Sequence, residues 1–257
     1  MRTSRIYIDP AEHGGLAATM AQPDRQLQLS GQSAHYLATV LRLREGDGIV
    51  LFDGLGSEFE AIIGTGSKRS LSVQLQNELP GLPPSPCRVT LVQGVSKGDR
   101  MDFAVQKATE LGVHRIVPLL TSRCDVKLDD ERKAKRLRHW QQIAISAAEQ
   151  CGRSDVPAIL PFVQLHPWLE EGHQGYILHP ADVAASSLDP AAFGLVNPCL
   201  LVGPEGGFSD DEVNDALRAG YHAWVLGPRV LRTETAPLAA LTVLQWQSGD
   251  LRGSSNA

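Results

Sequence analysis

Between Pro80 and Pro86, four of seven residues are proline. Each fixes its own φ, lacks an N–H and pushes the preceding residue out of the helical region, so neither a helix nor a ladder strand runs through this stretch. The chain must therefore be built as two pieces joined by a stiff, extended connector. The expected boundaries are residues 1–79 for the first domain, 80–86 for the linker and 87–257 for the second domain.

The two pieces differ in texture. In the first, residues 5–8, 48–52, 58–63 and 71–75 are strand-like runs separated by Asp53-Gly54 and Gly64-Thr65-Gly66, which read as hairpin turns. One short helix fits residues 35–41. A small β-barrel accounts for this pattern, near the lower size limit of an independent core. In the second piece, apolar strands at residues 88–92, 176–179, 199–202 and 222–226 alternate with helical stretches at 100–111, 129–150, 209–219 and 235–247. Such alternation predicts an α/β domain with a parallel sheet covered by helices on both faces.

Composition excludes several classes. No run approaches the roughly 18 apolar residues of a membrane span, and the opening MRTSRIYIDP lacks the apolar core of a signal peptide, so the expected location is the cytoplasm. The four cysteines lie far apart without a C-x-x-C pair, which indicates reduced thiols rather than disulfides or a zinc site. His166, His173 and His179 are irregularly spaced and read as loop or strand-end residues, not metal ligands. Trp168, Trp224 and Trp246 read as packing residues. With a net charge of −5, any nucleic-acid contact must come from local basic patches.

Two segments carry the chemistry. In Leu201-Val202-Gly203-Pro204-Glu205-Gly206-Gly207-Phe208-Ser209, an apolar strand enters a turn with three glycines, and Ser209 stands at capping-box spacing from Glu212. Glycine permits positive φ and a ligand's close approach to the main chain, and open α/β sheets bind ligands at the carboxyl ends of strands. In Val225-Leu226-Gly227-Pro228-Arg229-Val230-Leu231-Arg232-Thr233-Glu234-Thr235-Ala236-Pro237, a strand leads through a Gly-Pro bend into a helix that Thr233 or Thr235 can cap. Taken alone, the first segment also fits a plain β-turn-α link and the second a solvated loop with a surface ion pair. Neither ends in the G-K-[ST] of a phosphate loop, and Gly54/Gly56 and Gly64/Gly66 lack the third glycine and helix of a dinucleotide fingerprint.

These two segments resemble the signature motifs of the RsmE family of SPOUT-class methyltransferases. The resemblance continues, in the family's order, through Lys97-Gly98-Asp99-Arg100-Met101-Asp102, Gln106-Lys107-Ala108-Thr109-Glu110-Leu111-Gly112-Val113, Trp140 and Ala147-Ala148-Glu149-Gln150-Cys151-Gly152-Arg153. In the first piece it includes His35-Tyr36-Leu37 and Leu41-Arg42-Leu43-Arg44-Glu45-Gly46-Asp47. It implies a PUA-like barrel that helps hold RNA, and a catalytic domain whose last segment forms a trefoil knot, which no periodicity can reveal. The activity it implies is methyl transfer from S-adenosyl-L-methionine to N3 of a uridine in 16S rRNA, free or in the assembled small ribosomal subunit, by a homodimer. On this sequence the cofactor loops correspond to Leu178, His179, Val202, Gly203, Pro204, Glu205, Gly206, Gly207, Leu226, Gly227, Leu231 and Arg232.

Uridine N3 carries a proton, so transfer calls for a base or for stabilisation of the charge spread onto O2 and O4. Arg232 is the expected stabiliser, because its planar fork can donate two hydrogen bonds to a carbonyl edge. Glu234 and Glu205 are the candidate bases. Glu205 equally fits a carboxylate accepting N–H bonds within its own turn, and Glu234 one that holds Arg232 in place. Candidate RNA contacts are Arg2, Arg5, Arg42, Arg44, Lys97, Arg100, Arg123 and Arg153. The basic run 132–138 is denser, yet it also reads as a solvated helix face. Two other readings compete: a non-catalytic RNA-binding or ribosome-assembly protein of the same fold, and a doubly wound enzyme for another nucleotide cofactor.

Overall fold

The structure is a computed structural model that describes residues 4–13, 15–124, 129–179 and 197–252. Arg2, a candidate RNA contact, lies outside the described residues. The chain groups into two compact units, Met1–Pro84 with Ala148–Val156, and Ser85–Ala147 with Pro157–Ala257. The segment Ala148–Val156 follows the proline-rich stretch yet packs with residues that precede it, a return that a boundary drawn along the chain cannot capture.

The first unit holds β1 (Ser4–Tyr7), β2 (Gln26–Ser30), β3 (Gly48–Phe52), β4 (Glu58–Ser67) and β5 (Ser70–Leu79) in one barrel-like sheet of order β1-β3-β4-β5-β2. β1 runs parallel to β3 and the other pairs are antiparallel. β2 was not among the expected strands, because only Leu27 and Leu29 of its five residues face the core. Leu29, Leu37, Ile49, Leu51, Phe59 and Val73 fill that core. Three short helices, α1 (Pro10–His13), α2 (Leu16–Met20) and α3 (Gly31–His35), accompany the sheet. In place of one helix over 35–41, α3 runs into a π-helical turn, Tyr36–Val40, followed by Arg42 at φ 55°. Gly64 and Gly66 do not form a hairpin turn: they lie inside β4 beside a register shift, and the hairpin closes at the Ser67–Ser70 pair. A Cβ on Gly66 would stand 2.5 Å from Ser70 O, so the ladder itself requires glycine there.

Two expected RNA contacts belong instead to the interior of this unit. Arg5 pairs with Glu58, donates to the carbonyls of Ala148 (3.2 Å) and Arg153 (3.1 Å), and lies over the Phe52 ring. Arg153 is 7% exposed, and its guanidinium bonds both oxygens of Asp155 at 3.0 and 2.7 Å. Removing either cation to reach a phosphate would leave a carboxylate uncompensated. Arg42 and Arg44 are exposed.

The second unit is the expected α/β domain. Seven parallel strands, β6 (Thr90–Gly94), β7 (Arg115–Leu120), β8 (Ala158–Ile159), β9 (Val163–Gln164), β10 (Gly175–Leu178), β11 (Cys199–Val202) and β12 (His222–Trp224), form a sheet of order β12-β10-β11-β6-β7-β8, with β9 also on β7. The helices are α4 (Arg100–Glu110), α5 (Asp130–Cys151), α6 (Leu165–Glu170), α7 (Asp210–Arg218) and α8 (Ala236–Ser248). β6 and β11 are buried at every position, as strands covered on both faces are. β7 tolerates Pro118 in a sheet interior for a local reason. Ile116 O accepts from Leu160 N, so Pro118, two residues on, faces the same side, in the gap between β8 and β9, where no ladder donor is needed.

His166 lies on α6, not in a loop. Trp168 and Trp224 are buried, while Trp246 is 54% exposed and does not pack as expected. Among the described residues no helix is long and apolar enough to cross a membrane.

Candidate active site

β12, β10 and β11 are neighbours in the sheet and run parallel, so their carboxyl ends open onto one edge. β11 leads through the bend 203–207 into α7, where Ser209 and Glu212 form the full capping box: Glu212 N donates to Ser209 Oγ (3.3 Å) and Ser209 N to Glu212 Oε2 (2.8 Å). Within the bend only Gly207 has positive φ, at 66°, so Gly206 is not the conformationally demanding position. Gly203 is needed for proximity instead, since a Cβ there would meet Gly207 Cα at 3.0 Å. Gly227 supplies positive φ, 75°, in the bend after β12.

The two bends are tied together from beneath. Thr233 Oγ donates to Gly203 O at 2.7 Å and accepts from Gln93 Nε2 at 3.0 Å. Neither Thr233 nor Thr235 caps α8; the first hydroxyl is committed to this tie, and the second makes no cap hydrogen bond. Gly94, at the end of β6, lies directly under the first bend: a Cβ on it would stand 2.4 Å from Pro204 N and 2.7 Å from Gly203 C. Residues 93 and 94 were not singled out from the sequence, because their function is a contact with residues more than a hundred positions away.

The result is a cavity of about 490 Å³ lined by main chain from both bends together with Leu178 and His179 of the third strand end. A smaller cavity of about 80 Å³ adjoins it, sharing Leu178, His179 and Leu231 and adding Leu226 and Gly227. Every expected cofactor residue lines one of the two: Leu178, His179, Val202, Gly203, Pro204, Glu205, Gly206, Gly207, Leu231 and Arg232 the larger, Leu226 and Gly227 the smaller. Phe208, Val230, Thr233 and Ala236 join them without having been foreseen as lining residues.

The charged groups are arranged unequally. Burial disfavours charge on Glu205, but hydrogen bonds from its own and Lys97's main-chain N–H and from Arg100 outweigh it, and its carboxyl titrates below the ordinary glutamate value. It therefore stays ionised as an anchor for Arg100. Glu234 faces Arg100, with 3.9 Å between Oε2 and Nε, not Arg232 as the alternative reading had it. Its side chain is 16% exposed, and among the described residues Oε2 is buried without a hydrogen-bond partner. Arg232 is exposed on the cavity wall. Arg123, expected on RNA, braces the first bend through Nη1, which donates to Gly206 O and Phe208 O, both at 3.1 Å.

The profile of a family described as an RNA methyltransferase domain matches residues 83–245, and that of an RNA methyltransferase PUA domain matches residues 29–76. Ribosomal RNA small subunit methyltransferase E of Bacillus subtilis is 33% identical over 237 residues, covering 88% of this chain and 91% of its own. The protein of that name from Buchnera aphidicola subsp. Schizaphis graminum is 33% identical over 254 residues, covering 97% and 98%. Among solved structures, ribosomal RNA small subunit methyltransferase E from Neisseria gonorrhoeae, bound to S-adenosyl methionine, superposes with a TM-score of 0.84 at 35% identity over 97% of this chain and 100% of its own. A methyltransferase of Legionella pneumophila in complex with the same cofactor gives 0.85 at 39% identity over 98% and 100%.

Proposed function

Because the chain belongs to the ribosomal RNA small subunit methyltransferase E family, and is thereby an RNA methyltransferase, we propose that it methylates N3 of a uridine in 16S rRNA with S-adenosylmethionine as donor. The observation that carries this reading is Oε2 of Glu234, a buried acceptor that among the described residues receives no hydrogen bond, on the wall of the cavity that both bends enclose. Buried acceptors are rarely left unpaired, and the imide N–H of a uracil is a donor of the right kind.

The residues fit the donor. A volume of about 490 Å³ lies in the range of small-molecule sites, roughly 300–1,000 Å³. Leu178, Phe208 and Leu231 offer apolar wall, the carbonyls and amides of the two bends offer main-chain partners, and Glu205 and Glu234 offer negative charge toward a cation. When bound, S-adenosylmethionine supplies a methyl carbon made electrophilic by its sulfonium. Glu234 Oε2 accepts the N3 proton. Arg232, permanently charged, neutralises the negative charge that deprotonation spreads onto the uracil carbonyls. Glu205, held ionised, is a positioning residue for Arg100 rather than the base. Alignment of the reacting atoms by the pinned bends accounts for much of the remaining acceleration.

The family reading adds a trefoil knot in the last segment, cytoplasmic action, and a homodimer with the active site near its interface. Exposed Phe103 on α4 and Trp246 on α8, two helices in mutual contact, support a partner on that side. The first unit supplies RNA affinity, with Arg42 and Arg44 exposed for phosphate contact. The experiment is to incubate the protein with S-adenosylmethionine and, separately, free 16S rRNA or small subunits from cells lacking it, then map the methyl group by mass spectrometry. A uridine carrying it on N3 is expected; transfer to another atom, or none to either substrate, refutes the reading.

A further inference from the structure

We propose that a groove beside the methyl-transfer cavity, walled by Lys97, Arg100 and Arg123, is a phosphodiester site that grips the RNA backbone next to the nucleotide being methylated. This rests on the reading above that the substrate is RNA. The groove holds about 480 Å³ and shares Arg100, Arg123, Glu205 and Gly206 with the main cavity, so a strand delivering a base into one runs past the other.

Its charge points to the ligand. Of the five described residues that line it, three are cationic and one anionic, in a chain whose formal net charge is −5. The carboxylate, Glu205, does not oppose an anion freely, because it accepts from Arg100 and from the main-chain N–H of Lys97, which holds the Arg100 guanidinium in place and anchors the backbone that Lys97 projects from. Arg123 is oriented in advance: Nη1 is tied to the carbonyls of Gly206 and Phe208, which sets the plane of the fork before any ligand arrives. Among the described residues no aromatic side chain lines the groove, so they offer a base nothing to stack on. Cations without a stacking surface hold backbone phosphate and set register without reading sequence.

The test uses protein saturated with S-adenosylhomocysteine and small ribosomal subunits from cells lacking this enzyme, with affinity measured across a potassium chloride series. Lys97→Gln should reduce the slope of log K against log salt by about 0.7–0.9, the loss expected for one phosphate contact. Lys97→Arg should restore the slope, and the affinity of Lys97→Gln for S-adenosylmethionine should equal wild type. In turnover the same variant should raise KM for subunits. An unchanged slope in Lys97→Gln overturns the site. A loss of cofactor affinity with no change in slope overturns it too, and assigns the groove to the donor's own carboxylate. Wild-type protein that fails to bind subunits at any salt concentration refutes the RNA reading itself, a result distinct from either.

Discussion

Replacing Gly94 with alanine adds one carbon where the first bend passes closest to the sheet. That carbon would stand 2.4 Å from Pro204 N, 2.6 Å from Pro204 Cδ and 2.7 Å from Gly203 C. All three belong to main chain or a rigid ring, so no side chain can swing aside. Ordinary carbon contacts lie at about 3.5–4.0 Å, and the bend must therefore retreat by roughly 1 Å. Overpacking of this kind costs about 1–3 kcal/mol. A retreat also stretches the 2.7 Å bond from Thr233 to Gly203 O, adding about 1 kcal/mol. The sum, about 2–4 kcal/mol, corresponds to a fall of roughly 4–16 °C in the melting of a unit this size. Displacement of the bend should weaken S-adenosylmethionine binding at least about tenfold, near 1.4 kcal/mol. Scanning calorimetry and isothermal titration measure the two effects. Gly48→Ala is the control, because its Cβ meets nothing within 4 Å and its φ is ordinary. Wild-type melting and wild-type cofactor affinity in Gly94→Ala would refute the close packing of bend on strand.

Glu234→Gln should abolish methylation even at saturating S-adenosylmethionine; turnover above about a hundredth of wild type would exclude it as the base. Arg232→Ala should lower kcat by about 10²–10³ without unfolding the protein, and full activity would remove it from charge stabilisation. Thr233→Val keeps the shape but deletes the hydroxyl between Gln93 and Gly203, and should cost about 1–3 kcal/mol of stability, read by urea unfolding. Because the folded-state pKa of Glu205 lies below its unfolded value, its stabilising contribution is present above that unfolded value, about 4.3, and is lost as pH falls through the folded one. The melting-temperature gap between wild type and Glu205→Gln should therefore narrow as the pH is lowered from neutrality into that acid range. A gap that stays constant would contradict the assignment.

The features legible in the sequence were those fixed by local chemistry. A strand that ends in glycines before a Ser209/Glu212 capping box marks a β-turn-α connection, which the family resemblance and not the local pattern points to as a cofactor loop, and the alternation of strands and helices sets the α/β class. What escaped was long-range. Gln93, Gly94 and Thr233 look unremarkable in their own windows and acquire a function only against residues 203 and 204. Arg5 and Arg153 resemble surface cations until Glu58 and Asp155 are seen beside them. β2 was missed because a strand with two core-facing leucines among polar residues carries little signal. The segment 148–156 follows the proline-rich stretch, and order along the chain says nothing about where a chain folds back.

The hydroxyl tie between Thr233 and Gly203 has a consequence for biosynthesis. The cavity is closed by three strand ends and by a threonine that follows all of them along the chain. A nascent chain that has not yet reached Thr233 has the first bend but nothing to pin it. Competence for the donor thus cannot precede the synthesis of Thr233, and a chain truncated before it should be a silent protein rather than a weakened enzyme.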